Sequence, residues 1–146
     1  MKLLKLLFIF TLAVVTTFLL MSLVGTQLVI ADITSFGIEV SLADRVSASL
    51  HDIFGLLPIL LALVSVAQAV AFSLASRCIR WFAGSQTFWY SFAGLCSMPA
   101  ALLLIKYFMG ITIFAAARSS LGMFLVSLCG LAGGWVFAQL MQKRKV

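Results

Sequence analysis

Long runs of apolar residues separated by short polar stretches dominate this chain. A helix that crosses the hydrocarbon layer needs about 20 predominantly apolar residues, and residues 6–30, 53–75, 88–108 and 120–140 each supply such a run. Within those limits the only charge is Lys106, close to the end of the third run, where a lysine stem can reach the headgroups. Barrel strands would alternate apolar and polar side chains over about ten residues, and the runs show no such alternation. The pattern predicts an all-α membrane protein, with one domain over residues 1–146 built from four transmembrane helices.

The first run follows Lys2 and Lys5 and ends in Val29-Ile30-Ala31, features that a secretory leader shares. The apolar core of a leader spans about 7–15 residues, so the longer run over 6–30 reads as a retained helix. No lipidation motif accompanies it.

The polar stretch over 32–52 has a pattern of its own. Ser41-Leu42-Ala43-Asp44 fits a helix start, with a capping hydroxyl followed three positions later by an acid. Leu42, Val46, Leu50, Ile53, Phe54 and Leu57 then recur every three or four residues, while Asp44, Arg45, Ser47, His51 and Asp52 fill the remaining surface. This predicts a short amphipathic helix at the outer membrane surface leading into helix 2, with a bend supplied by Gly55 and Pro58. Its simplest role is to cap the bundle, and a docking surface is the alternative. Between the third and fourth runs, Gly110-Ile111-Thr112 is the one turn signal. Helix 3 is therefore expected to end near Met109, Thr112 to cap helix 4, and Arg118 to lie inside that helix.

Composition sharpens the class. The chain is 64% hydrophobic and 10% charged, with a mean hydropathy of +1.21, too few charged groups to cover a water-soluble particle. Disorder, a disulfide scaffold and phosphate-driven nucleic-acid binding are excluded on the same ground. The net charge of +6 is unevenly placed. Lys2, Lys5, Arg77, Arg80, Lys143, Arg144 and Lys145 fall at one side of the predicted spans. Asp32, Glu39, Asp44 and Asp52, with Arg45, Lys106 and Arg118, fall at the other. Basic residues near helix ends stay in the cytoplasm, so both termini are expected there, in a bacterial inner membrane. Trp81, Trp89 and Trp135 lie near the same ends of helices 2, 3 and 4, at headgroup depth.

Two groups of residues are candidates for specific contacts. Lys106 and Arg118 approach the outer rim where the acidic loop folds over it, and a cation partly withdrawn from water is costly unless a carboxylate or carbonyl meets it. Asp44, Asp52, Lys106 and Arg118, with His51 nearby, are the expected outer-rim ion-pair cluster; an anion or headgroup site built on the two cations and His51 is the alternative. The second group is the small-residue face Gly130, Gly134 and Ala138, adjoined by Gly133. Helices in lipid associate through such residues. Ala93, Ser97 and Ala101 on helix 3 and Ser65, Ala69 and Ser73 on helix 2 repeat the spacing. Packing within the chain is the simpler reading, and contact with a second subunit the sharper one. Gln68, near mid-span, needs a partner inside the bundle, and Pro99 is expected to kink helix 3.

Chemistry is sparse. His51 is the single histidine, Cys78, Cys96 and Cys129 form no Cys-x-x-Cys pair, and no acid lies within a span. Paired-thiol oxidoreductases, proton-coupled exporters with a buried carboxylate and aspartyl peptidases all need residues this chain lacks. The expectation is a non-enzyme without catalytic residues, cofactor or metal. Its partners would be the lipid bilayer and other membrane proteins or itself, with no nucleic acid. An accessory, scaffold or assembly component is the first functional reading. A small oligomeric transporter or channel, with Gln68, Pro99, Lys106 and Arg118 along a path, is the second. An enzyme acting on lipid through His51, Asp52 and Asp44 is the third.

Overall fold

A computed structural model describes residues 2–35, 41–81, 84–110 and 118–143, apart from the side chains of Lys2, Leu42, Asp52, Leu56, Leu57 and Met109. The chain is all-α. Helices α1 (Lys2–Ser35), α2 (Leu42–Trp81), α3 (Gln86–Met109) and α4 (Ser120–Lys143) run up and down in sequence, each packed on its chain neighbours, and α1 closes the ring against α4. Each is long and apolar enough to cross a membrane. The protein is thus an integral membrane four-helix bundle, with the apolar runs read above at the centre of each helix.

Local chemistry sets the helix ends. Ser41, Ser85 and Ser119 each stand just before a helix and accept from the backbone N–H three residues on: Asp44 at 3.2 Å, Phe88 at 3.2 Å and Gly122 at 3.0 Å. These hydroxyls satisfy donors that the first helical turn leaves without partners. At the other end of α3, Gly110 adopts a left-handed conformation (φ 67°) and returns its N–H to the Lys106 carbonyl at 3.0 Å, a stop that glycine makes at no steric cost. Helix 3 therefore ends at Met109 as expected. Thr112 lies outside the described residues, and the cap of α4 is Ser119. Arg118 consequently stands ahead of α4, exposed, rather than within it.

The amphipathic segment leads into the second span without a break, so α2 is a single helix of 40 residues containing Pro58. At about 1.5 Å per residue, α2 is about 60 Å long, against about 36 Å for the 24-residue α3 and α4. With the 34-residue α1 beside it, the α1–α2 hairpin rises beyond α3 and α4 at the end opposite the chain termini. There the two helices meet through polar groups. Ser49, buried, accepts from Gln27 Nε2 at 3.5 Å, and Arg45 donates to Gln27 Oε1 at 3.4 Å. Of the expected apolar stripe, Val46, Leu50 and Phe54 are exposed, Ile53 is half-buried against the core, and the side chains of Leu42 and Leu57 lie outside the described residues.

The interior is filled in two layers. Nearer the loop end, Val14, Phe18 and Met21 of α1 meet Leu60 and Val64 of α2, Met98 and Leu102 of α3, and Val126 and Cys129 of α4. Nearer the termini, Phe72 stacks on Phe137 (centroids 4.5 Å apart) and meets Tyr90 edge-on at 5.9 Å, over Ala13, Ala75 and Ala138. The outer surface remains apolar, with Val66, Val70, Leu74, Phe92, Leu103, Leu121 and Phe124 exposed, as suits side chains facing lipid tails.

Candidate functional site

Between the two layers the bundle encloses a polar group. Gln68 is fully buried and donates its amide N–H to Thr17 Oγ1 at 2.5 Å, while the Thr17 hydroxyl donates to the Ala13 carbonyl one turn back. Gln68 thus finds the in-bundle partner its mid-span position requires. Gly133 makes room for the pair: a Cβ there would collide with Thr17 Oγ1 and stand 2.9 Å from Gln68 Nε2. The Gln68 carbonyl oxygen has no partner among the described residues, nor do the buried hydroxyls of Ser22 and Ser91.

The small-residue face on α4 is turned inward, onto α3. A Cβ on Gly94 would strike the Gly130 carbonyl oxygen and lie 3.1 Å from Gly134 Cα, and one on Gly130 would strike the Gly94 carbonyl. A Cβ on Gly134 would strike the carbonyl of Tyr90. Ala138, fully buried, ends the seam beside Phe137. On α3, Ser97 and Gly94 face this contact. On α2 the expected face is corrected: Ala69 and Ser73 are exposed, and the buried positions are Leu60, Val64, Gln68, Phe72 and Ala75. The physical reason is local. Ser65 and Ser73 donate to the carbonyls of Leu61 and Ala69, both at 2.7 Å, so their hydroxyls are satisfied within the helix and need no neighbour. Thr17, Ser22 and Thr26 on α1, all buried, escape the sequence reading, because at spacings of five and four residues they share no single helix face.

At the loop end, no ion pair joins Asp44 to Lys106 or Arg118 among the described residues. The Asp44 carboxylate accepts from the Ser41 hydroxyl at 2.7 Å, within its own capping box, rather than from Lys106 or Arg118. His51, Lys106 and Arg118 are exposed, and the Asp52 side chain lies outside the described residues. A carboxylate in water gains more from a neighbouring hydroxyl than from ordering a distant lysine. Among the described residues no three of His, Cys, Asp and Glu stand together in a way that could hold a metal ion.

At the terminal end the surface is cut by clefts bordered by cations. One, between α1 and α4, has Lys5 and Lys143 above Leu4, Phe8, Ile9 and Leu140. A second, between α1 and α2, is about 510 Å³ in volume and reaches Phe72, Tyr90 and Phe137, with Arg80 at its edge. Facing α3, a third groove of about 470 Å³ is floored by alanines of α2 and α3 and bordered by Trp89, Phe92 and Leu104. No protein-family model, curated protein or solved structure matches this chain.

Proposed function

We propose that the protein is a non-enzymatic accessory or scaffold component of a bacterial inner membrane, with both termini in the cytoplasm, and that it works by holding a membrane-protein partner. The carrying observation is the stripe Val46, Leu50 and Phe54 on the part of α2 that rises past α3 and α4. Three apolar side chains four residues apart share one helix face. Apolar surface held outside the bilayer is favourable only when something covers it. The polar contacts of Ser49 and Arg45 with Gln27 turn the opposite face inward, so the stripe stays displayed. The bases gathered at the terminal end support the cytoplasmic placement of the termini.

The enclosed Gln68 favours this reading over the rival, a small oligomeric transporter or channel with that residue on its path. The test is recovery of the tagged protein in mild detergent, wild type beside the Val46→Ser, Leu50→Ser, Phe54→Ser triple variant, with quantitative identification of what co-purifies. A membrane protein retained by wild type and lost from the folded triple variant is expected. Identical sets from both would defeat the proposal. Labelling of Gln68→Cys by a membrane-impermeant thiol reagent would favour the rival instead.

A further inference from the structure

The cleft between α1 and α2 at the terminal end has the chemistry of a lipid site. Its deep wall holds Tyr90, 7% exposed, whose hydroxyl makes no hydrogen bond among the described residues. Its edge holds Arg80, exposed and without an ion pair among the described residues. All four acids of the chain, Asp32, Glu39, Asp44 and Asp52, lie in or next to the loop-end segment between the first two spans. The other polar groups in the cleft are Ser73 and Ser76. Both have already given their protons, to the carbonyls of Ala69 and Ser73. The donors left to a ligand are therefore a guanidinium and a phenol lining the same cleft, with no carboxylate among its lining residues. That set suits a phosphate, which guanidinium groups meet with charge-assisted bonds.

The rest of the cleft is apolar and runs along the bundle. From Arg80 it follows α2 through Phe72 to Ala69, about 16 Å along the axis at about 1.5 Å per residue. Ala69 lies near the middle of the Pro58–Trp81 span, so the cleft leads from headgroup depth toward the bilayer centre. Leu7, Ala69 and Ser73 are exposed along it, which leaves it open sideways to the lipid. An ion from water would use only the mouth, whereas a phospholipid would fill both parts.

We infer that this cleft holds one anionic phospholipid of the leaflet at the terminal end. Its phosphate sits on Arg80 and the Tyr90 hydroxyl, and an acyl chain lies along Phe72 toward Ala69. The inference is independent of the partner proposed above, because it concerns the opposite end of the bundle.

The experiment is native mass spectrometry of the full chain released from detergent, titrated with dioleoylphosphatidylglycerol, with dioleoylphosphatidylcholine, or with inorganic phosphate alone. One tight phosphatidylglycerol adduct is expected, with weaker phosphatidylcholine binding and none from phosphate. Arg80→Ala should weaken the adduct about tenfold, equivalent to ~1.4 kcal/mol, and Arg80→Lys less. Tyr90→Phe should weaken it about threefold, consistent with loss of one modest hydrogen bond. Arg77→Ala removes the same charge from a neighbouring hollow that shares Ala69 and Ser73 with the cleft but not Arg80 or Tyr90, and should leave the adduct intact. Three results would overturn the inference: equal binding of the two lipids, equal loss in the Arg77 and Arg80 variants, or phosphate binding as tightly as the lipid. Should Arg80→Ala fail to fold, Arg80→Lys and Tyr90→Phe carry the same comparison.

Discussion

The α3–α4 seam makes a quantitative prediction, because glycine is required there for a reason that Gly55 of the same helical fold does not share. Gly94 and Gly130 face one another so closely that a Cβ on either meets the carbonyl of the other, and on Gly94 it would also stand 3.0 Å from the Gly130 carbonyl carbon. The obstacle is backbone, which cannot rotate aside as a side chain does. Gly130→Ala must push the two helices apart, at the upper end of the ~1–3 kcal/mol that overpacking costs. Replacing glycine by alanine inside a helix returns ~1 kcal/mol of propensity, so the net loss is about 2 kcal/mol. Gly55 is the control: it is in α2, and a Cβ there meets nothing within 4 Å, so Gly55→Ala should gain stability, by up to ~1 kcal/mol. Reversible unfolding in mixed micelles, followed by circular dichroism, measures both. The Gly94→Ala, Gly130→Ala double variant should lose less than the sum of the singles, because helices separated for one methyl accommodate the second. If Gly130→Ala proved as stable as Gly55→Ala, or if the double variant were simply additive, the close approach would not be what holds α3 to α4.

Three further outcomes follow from the geometry. Thr17→Val should cost about 1 kcal/mol by stranding the Gln68 amide, whereas Gln68→Leu should cost less, since it also removes an unpaired carbonyl; unfolding of the two variants side by side decides it. In detergent, N-ethylmaleimide should modify exposed Cys96 well before buried Cys129, as read by peptide mass, and the reverse order would contradict the packing of α4. Gly110→Ala should lower stability by ~1–2 kcal/mol through its left-handed backbone, with Gly110→Asn milder, both read from the midpoint of thermal unfolding.

The spans were legible because the bilayer imposes a length and an oiliness that no other environment demands, and the stop at Gly110 because its backbone conformation favours one residue type. Which face of each helix turns inward was harder to read. On α2, Ser65 and Ser73 look like packing residues by size and spacing, yet each closes a hydrogen bond to its own helix and so carries no information about its neighbours. Gln68 was different: a primary amide cannot satisfy itself in that way, and its need for a partner survived into the structure. Of the rim charges, Asp44 is met by the Ser41 hydroxyl beside it, and the side chain of Asp52, the other acid of the expected cluster, lies outside the described residues. The start of α4 is set by Ser119, whose hydroxyl bonds the first turn, whereas Thr112, a cap by residue type, lies outside the described residues. The outward stripe on α2 was visible as a periodicity, but its direction depended on Gln27, far away in sequence.

The continuity of α2 through Pro58 fixes more than its length. Val46 stands twelve residues before Pro58 and Phe54 four, so the stripe is held about 6–18 Å above the start of the span by a single helical rod. Along such a rod, height and bearing are geared together. Removing one residue between Phe54 and Pro58 would swing the stripe about 100° around the bundle while lowering it by only about 1.5 Å. Inserting seven there would raise it by about 10 Å and return it almost to its original bearing. Whatever meets that stripe must therefore match it in elevation and in compass direction at once, and it is the number of residues in the rod, more than their identity, that sets both.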